Sequence, residues 1–194
     1  MTTTFLYGTT PLSTGICLSI AAGKTKGIID AQAAGNIEAS FKEVQQIVES
    51  QQPVYGVNTG FGPLCDTHIS EADTSLLQIN ILKSHSVGVG KPIPHEIAKI
   101  MMITKVQALA QGYSGIAAQT LERIIWHIDN DVIPLVPEKG SVGASGDLAP
   151  LSHLFLPLIG LGEVFYKGQK LAASTVLAEH GLKPLTLGPK EGLA

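Results

Sequence analysis

The feature that most constrains this chain is where its glycines stand. Directly after Pro134 and Pro137, the stretch from Glu138 to Asp147 carries Gly140, Gly143 and Gly146, interleaved with Ser141, Val142, Ala144 and Ser145. Glycine weakens helix and strand interiors alike and proline ends both, so no regular element runs through it. On either side, apolar residues recur at helical spacing. Such a chain folds as a mainly α protein with a few short strands, its helices packed around long ordered loops.

From Asp30 to Gln51, Ile37, Phe41, Val44, Ile47 and Val48 share one helical face, which predicts a surface helix stopped by Pro53. Val54 to Val57 reads as a short extended segment opening into a glycine-rich loop that ends near Pro63. Ser70-Glu71-Ala72-Asp73 resembles a capping box for a helix through Leu76, Leu77 and Ile81 that stops near Gly88-Val89-Gly90. Pro94 opens another, with Ile97, Ile100, Met101, Thr104 and Ala108 at helical spacing toward Gly112. A further amphipathic helix spans about Ala117 to Asn130, with Leu121, Ile124, Ile125 and Ile128 facing inward. Beyond the glycine stretch, a helix begins near Ala149, Glu163 to Leu171 reads as a hairpin turning at Lys167-Gly168, and Thr175 to His180 forms a short helix. The last residues, Pro189 to Ala194, show neither a polar tail nor a helix stop, so residues 1–194 are expected to be one N-terminal piece of a longer protein.

Composition excludes several functions. With 44% hydrophobic and 15% charged residues among 194, the chain has apolar material for a core. Its net charge is −3 and its Lys and Arg residues stand singly, so no basic stripe exists to follow a phosphate backbone, and nucleic acid is not expected as a partner. The start, MTTTFLYGTT, lacks the flank and core of a secretory signal, and no apolar run reaches the ~18 residues of a membrane span, which places the protein in the cytoplasm with no membrane partner. Cys17 and Cys65 are far apart and no second Cys stands near either, so neither a disulfide nor a metal site is expected.

The glycine stretch fits neither of two common site motifs. A phosphate-binding loop needs Lys after its last glycine, and none follows Gly146. A hydrolase nucleophile elbow needs a glycine where Asp147 stands. A plain flexible loop with an N-cap remains open, but Ala144-Ser145-Gly146 also meets the needs of a backbone cyclisation. The Gly146 nitrogen, with no Cβ beside it, can approach the Ala144 carbonyl carbon, and loss of water from Ser145 then leaves a methylidene conjugated to the ring. Asp147 is placed to move protons during that dehydration.

GSVGASGDLAPLSH at Gly140 to His153, YGVNTGFG at Tyr55 to Gly62 and SHSVGVG at Ser84 to Gly90 together resemble the aromatic amino acid ammonia-lyase family, most closely its branch acting on histidine. The resemblance covers essentially the whole chain. It implies the N-terminal, loop-rich domain of the helical aspartase/fumarase-like ammonia-lyase fold. It further implies non-oxidative deamination of L-histidine to urocanate and ammonia in histidine degradation, with a phenylalanine or tyrosine ammonia-lyase, an aminomutase or a non-catalytic member as alternatives. Ala144, Ser145 and Gly146 would form a methylidene imidazolone, with no external cofactor. The family chemistry is written with either the substrate amine or the substrate ring attacking this group, and the sequence leaves both open. The resemblance also implies a homotetramer whose sites combine several subunits with residues beyond Ala194, so residues 1–194 alone are expected to be inactive.

Four further positions take roles from the same resemblance. Tyr55 matches the family's base or proton shuttle, a role that requires its phenol to be favoured as phenolate. The Gly62 N–H matches a donor to the prosthetic oxygen. Ser84-His85 occupies the selectivity pair in its histidine form and offers a polar contact to an imidazole ring. His153 supports the loop, whereas His68, His95, His127 and His180 read as surface or capping residues. Where histidine lyases usually carry Arg-x-Asn, this chain has Lys105-Val106-Gln107, which keeps charge and amide but loses the bidentate fork.

Overall fold

A computed structural model describes residues 3–50, 52–60, 69, 71–140 and 148–194. The chain opens with strand β1 (Thr3–Tyr7), helix α1 (Thr14–Ala21) and strand β2 (Thr25–Ile29). The strands pair in parallel, Thr3 opposite Thr25 and Tyr7 opposite Ile29. Parallel neighbours cannot be joined by a tight turn, and α1 supplies the crossover. The Ser13 hydroxyl starts α1 by accepting from the Ile16 N–H at 3.3 Å. Phe5 and Tyr7 alternate into the core and meet edge to face at 5.4 Å.

Gly8 ends β1 where the chain crosses α4 (His95–Leu109). Its φ is +81°, and a Cβ built there would lie 2.2 Å from the Ala110 carbonyl oxygen. Gly8→Ala is therefore expected to destabilise the protein by about 2–4 kcal/mol, since both backbone strain and a backbone clash arise. Gly23→Ala, where φ is +69° but nothing lies within 4 Å, isolates the strain and should cost about 1 kcal/mol. Urea unfolding of the full-length variants measures both, and equal midpoints would show that the Ala110 contact yields.

Helix α2 (Ala31–Glu49) matches the expected amphipathic helix, burying Ala33, Ile37 and Val44. The Asp30 carboxylate caps it, accepting from the Ala33 N–H at 2.8 Å, a contact worth about 1 kcal/mol. The expected extended segment at Val54 to Val57 is instead a turn. The buried Asn58 side chain imposes it: its Oδ1 accepts from the Val54 N–H and its Nδ2 donates to the Gln52 carbonyl, each at 2.8 Å.

Helix α3 (Glu71–His85) buries Thr74, Gln78 and Leu82, whereas Leu76 is exposed; the proposed Ser70 cap lies outside the described residues. Helix α4 buries Ala98, Lys99, Met102, Ile103, Val106 and Leu109, a face rotated from the expected one, and Ile97, Thr104 and Ala108 face outward. Apolar residues surround α4, so periodicity could not choose which face turns inward. Helix α5 (Ala118–Asp129) buries Leu121, Ile124 and Ile128 as expected, with Ile125 partly covered.

The main core joins β1, α1, α4 and α5 with α6 (Leu148–Phe155) and the 3₁₀ turn Leu156–Ile159. Strand β3 (Val89–Pro92) pairs antiparallel with β5 (Pro137–Lys139), which brings the segment after α3 beside the entry to the glycine stretch. Strand β4 (Ile133–Pro134) pairs with β6 (Glu163–Tyr166), and β6 with β7 (Gln169–Ala172). The β6–β7 hairpin turns at Lys167-Gly168 as expected, with φ of +50° and +74°, the mirror-image turn that suits strand twist. Helix α7 (Ala173–Glu179) closes a small second core with Val132, Val164, Tyr166 and Val176.

Among the described residues no helix is long and apolar enough to cross a membrane. Of the cysteines, Cys17 is a buried free thiol whose pKa burial raises, and Cys65 lies outside the described residues.

One histidine departs from the surface or capping reading. His127 is 1% exposed, and its Nδ1 lies 3.0 Å from the Val132 carbonyl, which can only accept, so Nδ1 carries the proton. His180 is exposed but paired, its Nε2 lying 2.8 Å from the Tyr166 hydroxyl. His95 does stand at the surface, 3.4 Å from the Glu96 carboxylate, and His68 lies outside the described residues.

Candidate active site

A cavity of about 490 Å³ opens between α3, α4, α5, α6 and the segment from Leu187 to Ala194. Leu77, Ile81, Leu109, Ile124, Leu151 and Phe155 make its wall mostly apolar. The polar groups around it are Asn80, Ser84 and His85 of α3, Lys105 of α4, Thr120 of α5, Ser152 of α6, Glu191 and Tyr55. An apolar cavity with a few convergent polar groups is the usual form of a small-molecule site.

Helix α3 delivers Ser84 and His85 from its last turn. The Ser84 hydroxyl donates to the Ile81 carbonyl at 3.1 Å, and His85 Nδ1 lies 2.9 Å from the same carbonyl and 3.1 Å from Ser84 Oγ. Because the carbonyl accepts only, Nδ1 holds the proton of the neutral ring and Nε2 keeps its lone pair. Tyr55 reaches the cavity from the Asn58-held turn and is 61% exposed.

Leu148, the first described residue after Asp147, also lines the cavity. Ala144, Ser145, Gly146, Asp147 and Gly62 lie outside the described residues. The structure thus brings together Tyr55, Ser84 and His85, separated by some thirty positions in sequence, with the helix that follows the Ala-Ser-Gly triplet.

Lys105 and Gln107 divide the work of their pair. Lys105 borders the cavity, donates to the Ala194 carbonyl, and has its pKa lowered by desolvation. Gln107 faces the other way: its Oε1 accepts from the Gly8 N–H and its Nε2 donates to the Thr10 carbonyl, each at 3.1 Å. A single amide thereby holds the turn after β1.

Sequence reasoning passed over Glu191, as it did Asn80, Thr120 and Ser152 of the cavity wall. The Glu191 carboxylate accepts from the Ala117 N–H at 3.0 Å and the Gly188 N–H at 2.7 Å. It therefore caps α5, whose own N-cap Ala117 has no side chain to do so. The uncapped start of α5 was the available signal, because an amide end without a local acceptor must find a distant one.

A sequence model of the family described as aromatic amino acid lyase matches residues 12–194. The chain belongs to that family. The histidine ammonia-lyase of Streptococcus sanguinis is 46% identical over 166 residues, which cover 86% of this chain and 32% of that protein. The solved histidine ammonia-lyase of Trypanosoma cruzi superposes with a TM-score of 0.89 at 34% identity, covering 98% of this chain and 37% of that one. A tyrosine aminomutase from Streptomyces globisporus superposes with a TM-score of 0.88 at 32% identity, covering 97% of this chain and 35% of that one. The mainly helical fold with short strands is thus that of aromatic amino acid lyases, and the chain spans about a third of the length of the curated relatives it matches.

Proposed function

We propose that residues 1–194 form the N-terminal domain of a histidine ammonia-lyase that converts L-histidine to urocanate and ammonia. One observation carries the reading: a single cavity holds Tyr55, Ser84, His85 and the start of α6, the helix that directly follows Ala144-Ser145-Gly146-Asp147. The identity with histidine ammonia-lyases supports the same substrate.

Removing ammonia from an α-amino acid is hard because the amine leaves poorly and the β-hydrogen is barely acidic. A methylidene imidazolone built from Ala144, Ser145 and Gly146 supplies the soft electrophile that ordinary side chains lack. Leu148 at the cavity wall fits a triplet that enters the site just ahead of α6. Asp147 would serve the dehydration that completes that group, and the Gly62 N–H would be a donor to its oxygen. Tyr55 takes the substrate β-proton, the electrons of that C–H bond form the Cα–Cβ double bond as the Cα–N bond breaks, and the proton passes to the leaving nitrogen, which departs as ammonia. His85 Nε2, left with its lone pair by the Nδ1 contact to Ile81, accepts from a protonated nitrogen of the substrate imidazole, and Ser84 holds the His85 ring in place. No external cofactor or metal enters this scheme. The same reading has the full-length protein work in the cytoplasm as a homotetramer, with no nucleic acid or membrane partner, and leaves residues 1–194 alone without turnover.

The similarity to the tyrosine aminomutase favours a second reading in which the parent acts on tyrosine or phenylalanine. Assaying the full-length protein with L-histidine, L-phenylalanine and L-tyrosine separates the two, and absence of urocanate from L-histidine rejects the first. Intact mass of the peptide from Lys139 to Leu151 tests the prosthetic group: a deficit of two waters is expected, and full mass indicates a non-catalytic member. His85→Leu should lower kcat/KM for L-histidine about a hundredfold while affecting L-phenylalanine much less, because a site built to hydrogen-bond its substrate loses most when the partner goes. Equal losses on both substrates would exclude His85 as the selectivity residue.

A further inference from the structure

Three passages of chain that are distant in sequence converge on Gly88. The Gly88 N–H donates to His153 Nε2 at 3.0 Å, joining the segment after α3 to helix α6. A Cβ at Gly88 would lie 3.1 Å from the His153 ring and 3.2 Å from the Lys139 carbonyl oxygen. A Cβ at Gly140 would lie 3.0 Å from the Gly88 Cα and 3.2 Å from the Ala149 Cβ. Neither glycine has room for a side chain without a shift of its neighbours, and the Val89–Lys139 pairing of β3 with β5 continues the junction outward.

This junction stands just behind the cavity. His85, three residues before Gly88, lines it from α3, and Leu148, Leu151, Ser152 and Phe155 line it from α6. His153 does not line that cavity. Its ring reaches instead to the backbone that carries Ser84 and His85 forward, and borders a smaller cavity of about 260 Å³.

We infer that His153 is a positioning residue: by accepting from Gly88 it sets the register between the end of α3 that bears Ser84-His85 and the cavity-facing side of α6. The inference rests on the proposed function, since it assigns His153 to the assembly of that same site. An N–H group can be received only by an unprotonated ring nitrogen, so the neutral ring carries its proton on Nδ1. Burial lowers the pKa of His153 and keeps Nε2 available. A donor such as Lys at this position could not make the contact.

The test uses full-length enzyme with His153→Leu, which removes the acceptor, His153→Gln, which retains one, and Gly88→Ala, which keeps the imidazole but crowds the junction. His153→Leu is expected to raise KM for L-histidine about tenfold, the consequence of misplacing a substrate contact, and Gly88→Ala to do the same. His153→Gln should return KM to within about twofold of wild type, the scale left by one imperfect hydrogen bond. Thermal midpoints and the two-water deficit are measured alongside. Wild-type KM in a folded His153→Leu variant overturns the inference, as does a His153→Gln variant as impaired as His153→Leu. Should His153→Leu fail to fold, wild-type KM in Gly88→Ala overturns it instead. Wild-type enzyme without turnover on L-histidine overturns the proposed function and this inference together, whereas wild-type turnover with indifferent variants overturns the inference alone.

Discussion

Ser145→Ala in the full-length protein is expected to reduce turnover of L-histidine by about a thousandfold or more, a loss of about 4 kcal/mol in transition-state stabilisation. Closing the ring between the Gly146 nitrogen and the Ala144 carbonyl carbon expels one water, and loss of the Ser145 hydroxyl expels the second. Alanine has no hydroxyl to lose. The peptide from Lys139 to Leu151 should then lack at most one water, and the electrophilic carbon is never made. Tyr55, Ser84 and His85 are unchanged in this variant, so binding of L-histidine should persist while chemistry stops. Wild-type turnover by Ser145→Ala, or a two-water deficit in its peptide, would remove Ser145 from the mechanism.

Acid should weaken the fold through His127. Desolvation, first, and the nearby Arg123 charge hold this ring down to about 4 from 6.5, although its hydrogen bond to the Val132 carbonyl pulls the other way. The folded state therefore keeps His127 neutral where the unfolded chain would protonate it. The stability this provides is complete above pH 6.5 and is lost progressively as pH falls from 6.5 toward about 4. The loss is on the order of 3 kcal/mol, a sizeable share of the 5–15 kcal/mol that stabilises a typical domain. Denaturant unfolding of the full-length protein at pH 7.5 and pH 4.5 measures it against His127→Gln, which cannot titrate. Wild type should lose about 2.5 kcal/mol more than the variant between these conditions, since pH 4.5 stops short of the folded-state value. Equal losses would show that other groups cause the acid sensitivity.

The legible parts of the fold were those where neighbouring residues alone decide the conformation. Asp30 starts α2 because its carboxylate meets the amide three residues on, and Lys167-Gly168 turns the hairpin because the pair adopts positive φ. Helix α5 displays one clean apolar stripe, and that stripe is the buried one. The failures occurred where local pattern had several solutions. Helix α4 is apolar around most of its circumference, so its inward face was set by what packs on it from α1 and α5. His127 carries no mark of burial in sequence, because its partners are the Val132 carbonyl and the Trp126 ring, which the fold brings against it. The turn at Tyr55 depends on Asn58 reaching back to Val54 and Gln52, a side-chain cap that the run of β-favouring residues concealed.

For the candidate site, the role proposed for Ala144-Ser145-Gly146 rests on covalent connectivity: adjacent residues are close in any fold, so a triplet able to cyclise can be read directly from the chain. The sequence also named Tyr55, Ser84 and His85 as partners of that triplet through motif resemblance. Only the tertiary structure put the three around one cavity with Leu148, and only it disclosed Glu191 as the cap of α5 and His153 as the acceptor for Gly88. Those contacts join residues 74 and 65 positions apart, and such closures arise from the packing of whole helices rather than from any local preference.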